Sequence, residues 1–279
     1  MSETSDAYEQ RVRAGIDRWR STPPGWGTRL LARPGQAAAL AAQRLVPVSV
    51  LRGTLQRIDQ AAARFAARRD VLAAAGVPDL AALAELPLAA CDRLALRVER
   101  RGMALAGGSG ALFGSLGAMG LAADVPGLLT LALRHIHRTA YCYGEDWTLP
   151  EARGLALGVF ALASANSLAE KQAAWTALVE RTELLDAAWR DGIERVAERE
   201  LAKEATQFSL QLLASRIGTQ LGQRKAAGAI PLLGGAIGAA VNAAYLHEIG
   251  EAARQVLRDR WLRHRRREAP AARTPVRPR

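Results

Sequence analysis

This chain is poor in the residues that redox, metal and nucleic-acid chemistry draw on. Cysteine occurs only twice, as Cys91 and Cys142. Neither sits in a CxxC or mixed Cys/His spacing, so the sequence carries no metal-binding or thioredoxin-like pattern. Both fall in apolar helical stretches and read as buried, reduced thiols. Aromatic residues make up 5% of the chain, and no basic stripe interleaved with aromatic rings offers stacking platforms for bases. Of 38 basic residues only Lys171, Lys203 and Lys225 are lysines. Arginine and alanine usage of this kind accompanies GC-rich coding, so the high pI does not by itself predict a nucleic-acid partner, and none is expected. The longest strand-like run, Arg44 to Val50, is broken by Pro47, which a central strand would not tolerate. The polar N-terminus has no apolar core of the secretory kind, so a cytosolic start is expected.

The net charge of +11 is unevenly spread. From Arg258 to Arg279, nine arginines stand against Asp259 and Glu268, which places +7 of it there. Arg258, Arg263, Arg265, Arg266 and Arg267 form its densest part. Near an anionic membrane each would contribute about 1 kcal/mol of attraction. A solvated helix end followed by a disordered basic tail over residues 267–279 explains the same cluster equally well.

What the chain does have is alanine, leucine and helical periodicity, which together predict an all-α fold. Tyr8, Val12, Ile16 and Trp19 fall on one side of a first helix, closed by Pro23, Pro24 and Gly25. Helices are predicted over 36–44 and, as one piece, over 50–76, with Gly76 as C-cap. Asp79 caps a short helix, and Pro87 restarts the chain into another. Asp124 reads as an N-cap with Pro126 in the first turn of a strongly apolar helix that Gly144 stops. Thr148 and Glu151 have capping-box spacing for a helix to about residue 168. Charged and amphipathic helical patterns continue to residue 221, and Pro231 opens a last helix reaching about Arg266. By region, 1–77 reads as N-terminal helices and 78–266 as the main helical domain.

Two stretches stand out because they carry no charge. Residues 102–123 contain seven glycines, and residues 226–247 are of similar Gly/Ala-rich make-up. At about 1.5 Å per residue either would reach across a bilayer core of about 30 Å. Insertion of the first is weak, however. Its Leu105, Leu112, Phe113, Leu116 and Leu121 supply about −0.5 kcal/mol each, and the glycines oppose them. Small residues at four-residue spacing, Gly110 and Gly114 in the first and Gly234 and Gly238 in the second, suit close helix–helix approach instead. The predicted architecture is therefore a multi-helix bundle organised around two glycine-rich apolar helical segments packed on each other.

Residues 116–147 and 230–261 together resemble the EcsC protein family of bacteria. The likeness rests on the Asp124-Val125-Pro126 helix start, the Leu133-Arg134-x-Ile136 run and the Tyr143-Gly144 helix end. It continues with Ile230-Pro231-x-x-Gly234 and Gly238-Ala239-x-Val241-Asn242, and spans about residues 78–264. The family takes its name from a gene beside those of an ABC transporter. Resemblance to it implies a helical, hydrophobic bacterial protein with no assigned reaction, and it transfers no catalytic residue.

Candidate chemistry is sparse. Gly108, Gly110 and Gly114 approximate a dinucleotide fingerprint, but an arginine-rich helix precedes them instead of a strand, and Asp124 comes too soon to hold a ribose. His135 and His137 lie about 200° apart on a helix and cannot share a metal ion. No metal or cofactor is expected. Asp124 and Asn242 are polar residues in apolar surroundings, and Asn242 is predicted to bond across the interface between the glycine-rich elements. Arg134 and Arg138 either line a polar pocket with Tyr143, Glu145 and Asp146 or form a solvated helix end. Three functions follow, in order of preference. The first is a non-catalytic accessory or scaffold protein, cytoplasmic and peripheral at the inner face of the membrane, partnered by anionic lipid or a membrane protein. The second is a lipid- or small-ligand-handling bundle or enzyme with a polar pocket near Asp124, Arg134, His137 and Asn242, with Tyr143 and His247 as further structural or binding candidates. The third is a membrane-inserting or pore-forming protein.

Overall fold

A computed structural model describes the backbone of residues 2–24, 48–115, 117–149, 152, 154–165, 167–191 and 231–268. Side chains are described over 5–24, 55–104, 129–149, 152, 154–165, 167–183 and 243–266. Among these residues all regular structure is helical: α1 (Ser2–Ser21), α2 (Val48–Arg64), α3 (Arg68–Ala75), α4 (Leu80–Ala84), α5 (Leu88–Ser115), α6 (Gly117–Tyr141), α7 (Leu155–Ala163), α8 (Leu168–Asp191) and α9 (Pro231–Glu268). The all-α expectation holds. The predicted helix over 36–44 and everything between 192 and 230 lie outside the described residues.

Local signals place several boundaries as the sequence predicts. Gly76 takes φ 71° and closes α3, with Val77 N–H reaching Leu72 O and Gly76 N–H reaching Ala73 O, the paired bonds of a Schellman end. Asp79 accepts from Ala82 N–H at 2.8 Å and starts α4. Pro231 opens α9 as expected, where its missing N–H needs no partner. Val12 and Ile16 of α1 are buried in the same cluster as Leu94, Leu133 and Leu257, so the N-terminal helix shares the main core.

Four boundaries differ, each for a tertiary reason. The helix expected over 50–76 is two helices, interrupted where Ala67 adopts φ 51°. Arg134 Nε donates to Phe65 O at 2.7 Å and Arg138 Nη1 to Ala66 O at 3.0 Å. Two arginines of α6 thus satisfy carbonyls that a continuous helix would have bonded internally. Asp124 is not an N-cap, because α6 already begins at Gly117 and runs through Pro126. A proline inside a helix costs about 3 kcal/mol, and α6 packs on α5, α9, α2 and α7, which outweighs that loss. Thr148 does not start a helix either. Asp146 Oδ1 holds its N–H at 3.1 Å and its hydroxyl at 2.6 Å, and α7 begins at Leu155. Finally, residues 102–123 are not one rod. They are shared between the end of α5 and the start of α6, which fold back as an antiparallel pair. Seven glycines weaken any single long helix, and folding back lets its halves pack on each other.

Among the described elements the most extensive packing joins α9 to α5, with α6 against both. A Cβ at Gly102 of α5 would meet His135 Nδ1 of α6 at 3.1 Å and Leu246 of α9 at 3.2 Å. At Gly250 of α9 it would meet His135 Nε2 at 2.6 Å. Hydrogen at these two positions is what lets three backbones converge on one histidine. Continued along α5 and α9, the same antiparallel direction runs the stretch with Gly110 and Gly114 toward the end of the pair that also holds Gly234 and Gly238. Side-chain packing at those four glycines lies outside the described residues.

Candidate functional site

Acidic residues of α5 and basic residues of α9 face one another across the main helix pair. Asp92 and Glu99 are seven residues apart, two helical turns, and so share one face. His247, Arg254 and Arg258 share the facing stripe of α9. Glu99 is 3% exposed; His247 Nδ1 stands 2.6 Å from its Oε1, and Arg254 pairs with its other oxygen. Burial opposes ionisation of Glu99, but the His247 hydrogen bond and the Arg254 charge prevail and hold its pKa below 4.5. The same hydrogen bond raises the pKa of His247 above 6.5. His135, wedged between these groups, is driven down to about 4 by burial, and its Nε2 has no hydrogen-bond partner among the described residues.

Two turns back along α5, Asp92 receives Tyr8 Oη at 2.5 Å, Tyr143 Oη and Arg258 Nε at 2.9 Å. Burial and then the Asp92 carboxylate push the Tyr8 phenol up to about 12 and that of Tyr143 well above 10. Both tyrosines therefore stay protonated and act as donors. Arg260 Nε continues the seam to Glu145 Oε1 at 2.6 Å. These are internal ties that clamp α1, α5, α6 and α9 together.

The predicted site residues scatter across this framework. Tyr143 belongs to the Asp92 cluster. Arg134 caps the end of α2, and His137 Nε2 donates to Asp59 Oδ1 at 2.9 Å on the same side of α6. His135 and His137 do occupy opposite faces of α6, as their spacing requires. Arg134 and His137 thus both turn toward α2, while His247 lies against α5. The side chains of Asp124 and Asn242 lie outside the described residues. Of the basic cluster, Arg258 is spent on Asp92, and Arg263 on Glu183 at 3.1 Å and Asp259 at 3.0 Å. Arg265 and Arg266 are exposed, and the side chain of Arg267 lies outside the described residues. Cys91 and Cys142 are buried free thiols, and burial raises the pKa of Cys91 to about 12, so neither is a ready nucleophile.

His247, a predicted polar candidate, lines a cleft. The end of α1, the end of α7, the start of α8 and the His247–Gln255 stretch of α9 enclose about 490 Å³. Lys171 closes its α1 side. Its Nζ donates to Trp19 O at 2.5 Å and Thr22 O at 3.0 Å and lies 3.6 Å from the centre of the Trp19 ring. Burial lowers the Lys171 pKa to about 8. Glu99 holds the His247 ring from the protein side, while half of that side chain is exposed. Sequence reasoning missed Asp92, Glu99 and Arg254. Their spacing of seven on two helices was visible, but nothing local said that these two helices would meet.

Among the described residues no group of His, Cys, Asp and Glu is arranged to hold a metal ion, and no helix is long and apolar enough to cross a membrane. No curated protein and no solved structure matches the chain significantly. The model of the EcsC protein family matches residues 10–262. That match reaches back into α1, well before the region that carried the resemblance, and takes in the seam except Tyr8 and every residue lining the cleft. The chain belongs to the EcsC protein family.

Proposed function

We propose that this EcsC-family protein is a membrane-peripheral accessory or scaffold protein without catalysis of its own, and that it meets the bilayer with its uncharged end. One observation carries this reading. The antiparallel packing of α5, α6 and α9 brings the end of α5, the start of α6 and the beginning of α9 to the same end of the three-helix unit. Residues 102–123 and 231–246, two glycine-rich stretches with no charged side chain, are therefore gathered in one place. A charge-free, glycine-rich tip has little to lose on leaving water, whereas charged side chains at bilayer depth are costly. Arg265 and Arg266 sit roughly 30 Å further along α9 at about 1.5 Å per residue, too far to engage the same flat surface as the tip. The basic cluster is thus a solubilising end in this reading, and the anionic lipid it would favour is not required.

Flotation with phosphatidylcholine/phosphatidylglycerol vesicles tests this. The full chain is expected to float with the vesicles, and high salt should leave it there. Phe113→Glu should return it to the unbound fraction, while Arg265→Glu with Arg266→Glu should float as the wild type does. A wild-type protein that never floats, or one released by the arginine substitutions and not by Phe113→Glu, overturns the reading.

A further inference from the structure

The cleft beside His247 combines two kinds of unspent polar group, and from them we infer that it binds a small zwitterion: a protonated amine carried close to an anionic group such as a phosphate or carboxylate. His247, Glu251 and Gln255 follow one another at four-residue spacing and so line one face of α9 within the cleft. Gln255 is 6% exposed, and its Oε1 has no hydrogen-bond partner among the described residues. A buried acceptor left unbonded costs about 1–3 kcal/mol, which an incoming N–H would recover. Glu251, one turn away, influences Lys171 and His247 through its charge but makes no hydrogen bond or ion pair with a described residue. Together they offer an amine two acceptors, one of them charged. Lys171 does not satisfy them, since its ammonium is committed to the Trp19 and Thr22 carbonyls.

The opposite sign is supplied by Arg18 and His247. Arg18 lines the cleft from α1, and its guanidinium makes no ion pair with a described residue. His247 has Nδ1 tied to Glu99, which fixes the ring and leaves Nε2 at its far edge as the free polar atom. The volume falls within the range of small-molecule sites, and the apolar wall of Pro23, Pro24 and Leu162 would exclude water from one side of the ligand. The charge pattern suits a zwitterion better than either half alone. An isolated anion would face Glu251, and an isolated cation would face Arg18.

Isothermal titration calorimetry of the full chain with O-phosphoethanolamine tests this, with ethanolamine and inorganic phosphate as half-ligands. Saturable binding is expected, at least tenfold weaker for each half-ligand. Glu251→Gln and Arg18→Gln should each weaken the probe at least tenfold. Arg11→Gln, on an exposed part of α1 outside the cleft, should leave it unchanged and shows that the helix tolerates loss of an arginine. The inference fails if the probe gives no saturable heat, if inorganic phosphate binds as tightly as the zwitterion, or if both cleft variants bind like wild type. Co-sedimentation with phosphatidylethanolamine vesicles, competed by the free probe, would assign the zwitterion to a lipid headgroup. Binding of the free probe with no vesicle competition would assign it to a soluble ligand. Neither result depends on the uncharged tip.

Discussion

Replacing Glu99 with alanine should destabilise the fold by about 3–5 kcal/mol, the range seen when one partner of a buried ion pair is removed. Glu99 and Arg254 are 3% and 7% exposed, so the substitution leaves a guanidinium in the core with its partner gone and a cavity beside it. Most of the loss is the penalty of that orphaned charge. Glu99→Ala with Arg254→Met should therefore recover much of the stability, and urea unfolding of the two variants measures the difference. A loss below about 1 kcal/mol for Glu99→Ala would mean that the pair behaves like a solvated surface bridge.

The same cluster shapes the pH dependence of stability. His247 has its pKa raised above 6.5 in the folded protein, so its contribution is whole below pH 6.5 and is lost as pH rises through the raised value. His135 is lowered from 6.5 to about 4. The unfolded chain binds a proton there that the folded protein refuses, and stability falls by about 3 kcal/mol as pH drops from 6.5 to 4. Glu99, held below 4.5, adds a further loss only as pH falls through its own depressed value. Stability should peak near pH 6.5. In Glu99→Ala the decline on the alkaline side should flatten, because His247 has lost the partner that raised it, while the acid-side decline from His135 persists. Urea midpoints across that range test the sign of each limb.

Gly144→Ala should cost about 2–5 kcal/mol, through two additive causes. Gly144 sits at φ 78°, a left-handed conformation that costs an L-residue about 1–2 kcal/mol. An added Cβ would also stand 2.5 Å from Ala84 Cβ, 2.6 Å from its Cα and 2.7 Å from its N. Two of those are backbone atoms of α4 and the third is a methyl carbon fixed directly to it, so none can rotate away and α4 must shift, with the 1–3 kcal/mol typical of overpacking. Gly76 separates the two causes. It has φ 71°, yet a Cβ there meets nothing within 4 Å, so Gly76→Ala should show the conformational cost alone. Equal losses in the two variants would mean that the contact between Gly144 and α4 is not a tight one.

These glycines illustrate where the sequence was readable. Gly76 and Gly144 announced helix ends because a left-handed cap is a local event, confined to one turn and nearly restricted to glycine. Asp79 was legible for the same reason, and so was the start of α9 at Pro231. Tyr8, Val12, Ile16 and Trp19 fell on one buried side as helical periodicity requires, and the cysteines proved to be packed thiols. The break at Ala67 had no such signal. Alanine favours helix, and the groups that make the break tolerable are Arg134 and Arg138, remote in sequence. Thr148 and Asp124 misled because each local cap signal was overruled, in one case by Asp146 and in the other by the packing of α6.

The candidate site divides in the same way. His247 was among the candidates as a histidine at the end of an uncharged stretch, but its partner Glu99 looked like any other charged residue of an arginine-rich helix. By itself the order of residues determined an all-helical EcsC-family protein, several of its helix ends and the presence of two charge-free stretches, because capping, periodicity and composition act over a turn or two. Only the tertiary structure decided that the first charge-free stretch folds back on itself. It alone decided that Asp92 and Glu99 meet Arg258 and Arg254, and that His247 borders a cleft shared with α1. Those outcomes turn on which helices pack together and how closely, and buried charges are tolerated only where the packing delivers their partners.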